Sequence, residues 1–234
     1  MALLKIEHVA KRYGRGRQRK GVLEDINLSI GKGDLVGLVG ESGSGKSTLA
    51  RLIMRLETMD EGEISFSRSG NFYDSCQIVF QNATAALNPT WTVRASLLEP
   101  LRLMKGDREG YIKEMLSLVS LSDVHLDRLP SELSGGERQR VNLLRSILVK
   151  PELLICDEIV SSLDRLIQKE IVELLKRLNE EMGMAILFIS HDLKVVNYLC
   201  DRVYVMKDGR IVEDSVKQDG TFVFSHPYAQ RLFE

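Results

Sequence analysis

Apolar and polar positions alternate through LLKIEHVAKRYG (residues 3–14) and VLEDINLSI (22–30), the period of strands that bury one face. The first reads as an edge strand, and the basic turn GRGRQRKG (14–21) joins the two. DLVGLVG, QIVF, LLIC and MAILFIS differ from these: each is short and nearly all apolar, as a strand buried on both faces should be. Helical spacing separates them. Leu49, Leu52, Ile53 and Leu56 share a face after Lys46, and LIQKEIVELLKRLNEEMG (166–183) is an amphipathic helix with Gly183 at its C-cap. RVYVMKDGRIVED reads as a hairpin turning at Asp208-Gly209.

From Val93 to about Leu129 the character changes: Leu97, Leu98, Leu101, Leu103, Tyr111, Ile112, Met115, Leu116, Leu118 and Val119 recur at helical spacing with polar residues between them. SGGERQRVNLLRSILVKP then continues as a helix ended by Pro151. The expected fold is α/β: a mainly parallel sheet covered by helices on both faces, an antiparallel β part at the N-terminal end, and a helical subdomain inserted at about 93–150. The 234 residues suit one domain with a subdomain.

The formal net charge of −1 gives no reason to expect nucleic acid as a partner. No apolar run approaches the roughly 18 residues of a membrane-spanning helix, and the N-terminal stretch has no apolar h-region of a secretory leader. Cys76, Cys156 and Cys200 are scattered and odd in number, which fits a reducing cytosol better than a disulfide framework or a metal site.

The chemistry starts at GESGSGKST, Gly40–Thr48, where Gly40, Gly45, Lys46 and Ser47 match G-x-x-x-x-G-K-[ST]. Glycines let the backbone turn tightly so that successive N–H groups face a phosphate, and the helix that follows adds its positive end. Lys46 is placed for β- and γ-phosphates and Ser47 for Mg²⁺; Glu41, Ser42, Gly43, Ser44 and Thr48 complete the cradle. Asp157 and Glu158 end the buried strand LLIC, where ligands gather in open α/β sheets. Asp157 suits Mg²⁺, and Glu158 suits polarising the water that attacks the γ-phosphate. Cys156 reads as a small buried apolar residue.

A second glycine-rich stretch, ELSGGERQR (132–140), also opens a helix. Taken in order, Gly40–Thr48, Gln81, Ser134–Gly136, Asp157–Glu158, Asp164 and His191 make the chain resemble, over essentially its whole length, the nucleotide-binding subunit of ABC transporters. The resemblance implies a P-loop ATPase using ATP and Mg²⁺. It implies that Ser134, Gly135, Gly136 and Glu137 cap the γ-phosphate of ATP held by a partner subunit, so that two chains facing head to tail sandwich two ATP molecules. The helix terminus and the Ser134 hydroxyl are suited to an anion, and Ser134 serves equally as an ordinary N-cap.

By the same resemblance Tyr13 stacks on adenine, although a half-buried strand tyrosine would look the same. Gln81 touches Mg²⁺ and water where membrane subunits dock, Asp164 communicates across the dimer, and His191 contacts the γ-phosphate. Within the family, VFQNATAALNPTWTV and SHPYAQRLFE resemble the dipeptide, oligopeptide and nickel importers, and CDEIVSSLD, with Ile159 and Val160 where Pro-Thr is commoner, resembles the nickel-import subunits. The implied partners are a second, non-identical ATPase subunit, two membrane permease subunits and, indirectly, an extracytoplasmic solute-binding protein, at the cytoplasmic face of the cell membrane. His8, His125, His191 and His226 are dispersed and offer no nickel site, as suits a subunit that need not touch cargo. Soluble ABC ATPases acting on DNA or ribosomes usually carry coiled coils or a second cassette, neither of which occurs here. The basic turn reads as a solvated loop near the adenine end.

Overall fold

The computed structural model describes residues 2–14, 19–67, 70–161 and 163–233. Two long strands, β1 (Ala2–Tyr13) and β2 (Lys20–Gly31), open the chain, and β3 (Leu35–Val39) leads through the glycine loop into α1 (Lys46–Ile53). β4 (Glu61–Phe66) pairs with β1 on the side away from β2, giving a three-stranded antiparallel sheet in the order β2-β1-β4. The β1 segment is therefore central, not at an edge. Its alternation reports one buried face, and a half-buried central strand of an antiparallel sheet alternates just as an edge strand does. β4 escapes the pattern because four of its six residues are exposed.

Short α2 (Phe72–Ser75) precedes β5 (Cys76–Phe80), and α3 (Ala83–Ala86), α4 (Val93–Leu98), α5 (Arg108–Leu116) and α6 (Gly135–Ile147) follow, with single 3-10 turns between α5 and α6. β6 (Leu153–Asp157), α7 (Arg165–Met182), β7 (Ala185–Ile189), α8 (Leu193–Leu199), the hairpin β8 (Arg202–Lys207) and β9 (Arg210–Val216), and α9 (Pro227–Phe233) complete the chain. The second sheet runs β5-β6-β7-β3-β8-β9 and is parallel except for β9. Its two faces divide the core cleanly. Leu35, Cys156, Phe188 and Val205 pack with α6, α7 and α8, while Val36, Ile155, Leu187 and Met206 pack with α1 and the antiparallel sheet. All-apolar strands are what burial on both faces demands.

Gly183 ends α7 in the left-handed conformation, φ 64°, and Asp208-Gly209 turn the hairpin. Two helical readings run too long. Leu56 lies past the end of α1 and is exposed, and Leu103 lies past α4 with 83% of its surface exposed. Arg15 and Arg17 of the basic turn, and Ser162, lie outside the described residues. Arg19 is paired with Asp60 at 2.7 Å.

Candidate functional site

The loop between β3 and α1 owes its shape to three glycines with positive φ: Gly40 at 152°, Gly43 at 83° and Gly45 at 106°. A Cβ on Gly40 would stand 2.2 Å from the Met206 carbonyl oxygen, so only glycine permits this approach to β8. Gly45 is the N-cap of α1 and supplies no side-chain cap, leaving the N–H groups of the first turn for an outside acceptor. Glu41, Ser42 and Gly43 are exposed, whereas Ser44, Lys46 and Thr48 are buried. The Lys46 ammonium donates to the carbonyls of Gly40 at 2.8 Å and Glu41 at 2.9 Å, and lies 3.4 Å from Ser44 Oγ. Burial pulls its pKa down, opposed by the nearby Glu158 and Asp157 charges. A cation held partly desolvated by neutral carbonyls gains on meeting an anion.

The register of the sheet brings the second part of the site to the same end. Phe80, Asp157 and Ile189 lie side by side across β5, β6 and β7, so Gln81, Glu158 and Ser190 follow in a row and His191 comes next. Ser47 Oγ donates to Asp157 Oδ1 at 3.2 Å, joining the glycine loop to the end of β6. Burial pushes the Asp157 pKa up, and the Ser47 hydrogen bond opposes that shift. Glu158 adopts φ 52°, a left-handed conformation costly for any residue but glycine, while its N–H donates to the Ile189 carbonyl at 3.0 Å. His191 Nδ1 stands 3.7 Å from Glu158 Oε1. Gln81 is engaged elsewhere: its Nε2 donates to Ser161 Oγ at 2.8 Å, and Ser161 Oγ donates to the Glu158 carbonyl at 2.9 Å. Ser161 was not singled out from sequence, because a serine carries no spacing signal of its own.

Tyr13, at the end of β1, is 39% exposed, and its hydroxyl donates to the Glu57 carboxylate. Glu57 also accepts from Arg51 Nε at 2.8 Å, and Arg51 Nη2 reaches Thr48 Oγ1 at 3.5 Å. This relay ties the aromatic ring to α1. Partial burial and then the Glu57 contact raise the Tyr13 pKa, keeping the phenol neutral. Glu57 was missed in the sequence, being one acid among many.

The Ser134 turn has partners of its own. Among the described residues it shares no hydrogen bond or ion pair with Gly40–Thr48. Ser134 caps α6 in a reciprocal box: Glu137 N donates to Ser134 Oγ at 3.2 Å, and Ser134 N donates to Glu137 Oε2 at 2.7 Å. Glu137 also meets His125 Nε2 at 3.1 Å. Its carboxyl is held below the usual range, first by the Ser134 N–H. A Cβ on Gly136 would press within 2.9 Å of Ile167 Cγ2, whereas one on Gly135 would meet nothing within 4 Å. Asp164 caps α7, accepting from the N–H groups of Leu166 at 3.0 Å and Ile167 at 3.1 Å.

The donor set fits a nucleoside triphosphate with Mg²⁺. Uncapped N–H groups and the Lys46 ammonium suit an anion, and the Ser47 hydroxyl and Asp157 carboxylate stand together as hard oxygen ligands. Among the described residues no group of three or more His, Cys, Asp or Glu stands ready for a metal ion. Magnesium shared between one carboxylate and substrate phosphates does not require one. No helix among the described residues is long and apolar enough to cross a membrane.

A family profile described as ABC transporter matches residues 23–161. The nickel import ATP-binding protein NikE of Escherichia coli O6:K15:H31 is 42% identical over 94% of this chain and 89% of its own length. The oligopeptide transport ATP-binding protein OppF of Streptococcus mutans serotype c is 37% identical over 98% of this chain and 80% of its own. Among solved structures, the ATP-binding cassette MJ0796 in a dimeric post-hydrolysis state with ADP and phosphate superposes with a TM-score of 0.79 at 28% identity, covering 92% of this chain and 99% of that one. CbiO1 from Clostridium perfringens, part of the ABC transporter complex CbiONQ, gives a TM-score of 0.81 at 27% identity, covering 91% and 88%. With the phosphate loop, the strand-end carboxylates and the cassette fold in place, the chain belongs to the ABC transporter family, as one of its ATP-hydrolysing, ATP-binding subunits.

Proposed function

We propose that this subunit energises an importer for nickel or a nickel chelate at the cytoplasmic face of the cell membrane. The observation that carries the mechanism is the meeting of Ser47, Asp157, Glu158 and His191 at one end of the parallel sheet. In this reading Gly40–Thr48 enclose the phosphates, and Lys46 leaves the Gly40 and Glu41 carbonyls for the β- and γ-phosphate oxygens. Ser47, Asp157 and Gln81 hold Mg²⁺, which when bound neutralises phosphate charge. Glu158 orients and polarises the attacking water, and His191 contacts the γ-phosphate. For Gln81 this requires release from Ser161, so the glutamine is poised to move between two partners. Tyr13, its ring steadied through Glu57, stacks on adenine.

The Ser134–Glu137 turn, exposed at Ser134 and Gly135, caps the γ-phosphate held by a second, non-identical ATPase subunit, and Asp164 at the start of α7 lies at that junction. Two membrane permease subunits take up the motion when ATP binding closes the pair and hydrolysis opens it. They dock near Gln81 and the helical subdomain at about 93–150, and an extracytoplasmic solute-binding protein delivers cargo to them. Cargo specificity would reside in those partners. Support for nickel comes from the NikE likeness and from Ile159 and Val160 in CDEIVSSLD. The OppF likeness makes dipeptide or oligopeptide import the second reading.

Uptake of radioactive nickel in cells lacking the gene tests the cargo. Loss of uptake on deletion, restored by the wild type and not by Glu158→Gln, is expected. Unchanged uptake under nickel limitation would remove the nickel reading, and labelled peptide uptake in the same strains would then test the alternative.

A further inference from the structure

The outer side of the phosphate loop is held by parts of the chain that the proposed mechanism does not use. The Glu41 N–H donates to the Tyr228 hydroxyl at 3.3 Å. Tyr228 lies on α9, far along the chain, and is only 7% exposed. The Lys207 ammonium stands 4.9 Å from the centre of its ring, a cation on an aromatic face. Lys207 is the last residue of β8, and the turn that follows it reaches the same loop: Gly209 N donates to the Ser44 carbonyl at 3.1 Å. Gly40 is pressed against the Met206 carbonyl, as its absent Cβ requires. Three points of one loop, Gly40, Glu41 and Ser44, thus rest on Met206, Tyr228 and Gly209.

The start of α9 is itself pinned. Glu213 on β9 accepts from His226 N at 2.6 Å and Ser225 N at 2.8 Å, and Tyr228 N donates to His226 Nδ1 at 3.1 Å. These bonds set where the tyrosine stands. A loop rich in glycine has the most conformational freedom to lose when it closes on phosphate. A fixed outer wall removes part of that loss before the nucleotide arrives, which is preorganisation of the binding site. The Glu41 N–H is the suitable handle, because anchoring it from behind leaves the N–H groups at the start of α1 free to face inward.

We propose that Tyr228 is a positioning residue for ATP: its hydroxyl, steadied by Lys207, holds the Glu41 N–H and so keeps the phosphate loop in its binding shape. This rests on the reading of Gly40–Thr48 as the phosphate loop. It assigns the SHPYAQRLFE stretch a task at the nucleotide site.

The test is nucleotide binding by the full chain, read with a fluorescent ATP analogue, together with ATPase titration of the assembled transporter. Tyr228→Phe removes one oxygen and keeps the ring, the helix and the cation contact. Its Kd and KM should rise about threefold to tenfold, the worth of one hydrogen bond, with kcat at saturating ATP and the melting temperature of the nucleotide-free chain nearly unchanged. Lys207→Met should shift Kd in the same direction by less. Lys46→Ala, measured alongside, should lose affinity severely. Wild-type Kd and KM in Tyr228→Phe, with that Lys46→Ala loss present, would overturn the positioning role alone. A fall in kcat with KM unchanged would overturn it as well. Unaltered binding by Lys46→Ala would overturn the phosphate-loop reading and this inference together.

Discussion

Ser47 and Asp157 are 110 residues apart in sequence, yet the serine hydroxyl donates to the carboxylate across 3.2 Å. The contact joins the first turn of α1 to the end of β6, two strands away from β3 in the sheet. It also places a buried carboxylate where the Ser47 hydroxyl and the charges of Arg51 and Lys46 relieve only part of the cost of burying its charge.

That cost sets a first expectation. The folded-state pKa of Asp157 is raised by burial above its unfolded value. At a pH below the unfolded pKa the side chain is protonated in both states and carries no penalty. The penalty accrues as pH rises from the unfolded pKa towards the folded one, and is complete once pH has passed the folded pKa. Asp157→Asn should therefore raise the melting temperature of the nucleotide-free chain at pH 7, by roughly 2–4 °C for each kcal/mol relieved in a domain of this size. The same variant should lose the extra stabilisation that Mg²⁺ adds to ATP. Thermal melts at pH 4 and pH 7, with and without Mg-ATP, check both; a lower melting temperature at pH 7 would contradict the assignment.

Lys46 presents the complementary case. Its ammonium bonds only to neutral oxygens of the loop, and burial lowers its pKa. Exchanging carbonyls for phosphate converts these contacts into charge-assisted ones, worth about 1.5–3 kcal/mol each. Lys46→Ala should weaken ATP binding by roughly tenfold to more than a hundredfold, with adenosine affinity much less affected. A filter-binding assay comparing ATP with adenosine reads the difference, and equal affinities for wild type and variant would refute the role.

How far these relationships could be read in advance depends on the kind of residue. Gly40, Gly45, Lys46 and Ser47 are legible because the loop needs those residue types at fixed spacing, and the all-apolar strands are legible because burial on both faces leaves no room for polar residues. The pairing of β1 between β2 and β4 was not legible, since alternation reports a buried face and says nothing of neighbours. Leu56 and Leu103 continue a helical spacing beyond the true helix ends, because leucine is apolar whether or not the backbone still turns. The Gln81–Ser161 and Tyr13–Glu57 contacts were invisible because common polar residues meet through tertiary placement alone.

Glu158 separates backbone strain from chemistry. Its φ of 52° is disfavoured for any side chain with a Cβ, by about 1–3 kcal/mol. Glu158→Gln keeps that strain and removes the charge, so ATP should still bind while turnover nearly disappears. Glu158→Gly removes both, so turnover should be equally low while the nucleotide-free chain melts higher than Glu158→Gln. Wild-type hydrolysis by Glu158→Gln would dismiss the proposed base. A Glu158→Gly chain no more stable than Glu158→Gln would show the strain to be negligible.

Neighbouring glycines in the Ser134 turn give the sharpest test of a site shared between subunits. Gly136 has a reason within its own chain, because Ile167 Cγ2 would lie 2.9 Å from an added Cβ. Gly136→Ala should therefore lower the melting temperature of the isolated chain. Gly135 has no such reason: an added Cβ meets nothing within 4 Å, and alanine favours a helix more than glycine does. On folding grounds Gly135→Ala should be neutral or stabilising. If the turn caps a partner's γ-phosphate, however, the new methyl group points into the space that phosphate must enter. The isolated Gly135→Ala chain should then bind ATP as the wild type does, while the assembled transporter loses hydrolysis, by about 100-fold if an aligned donor is displaced. Weakened ATP binding by the isolated chain would place the turn at its own nucleotide instead, and undiminished hydrolysis in the assembly would remove the turn from the site altogether.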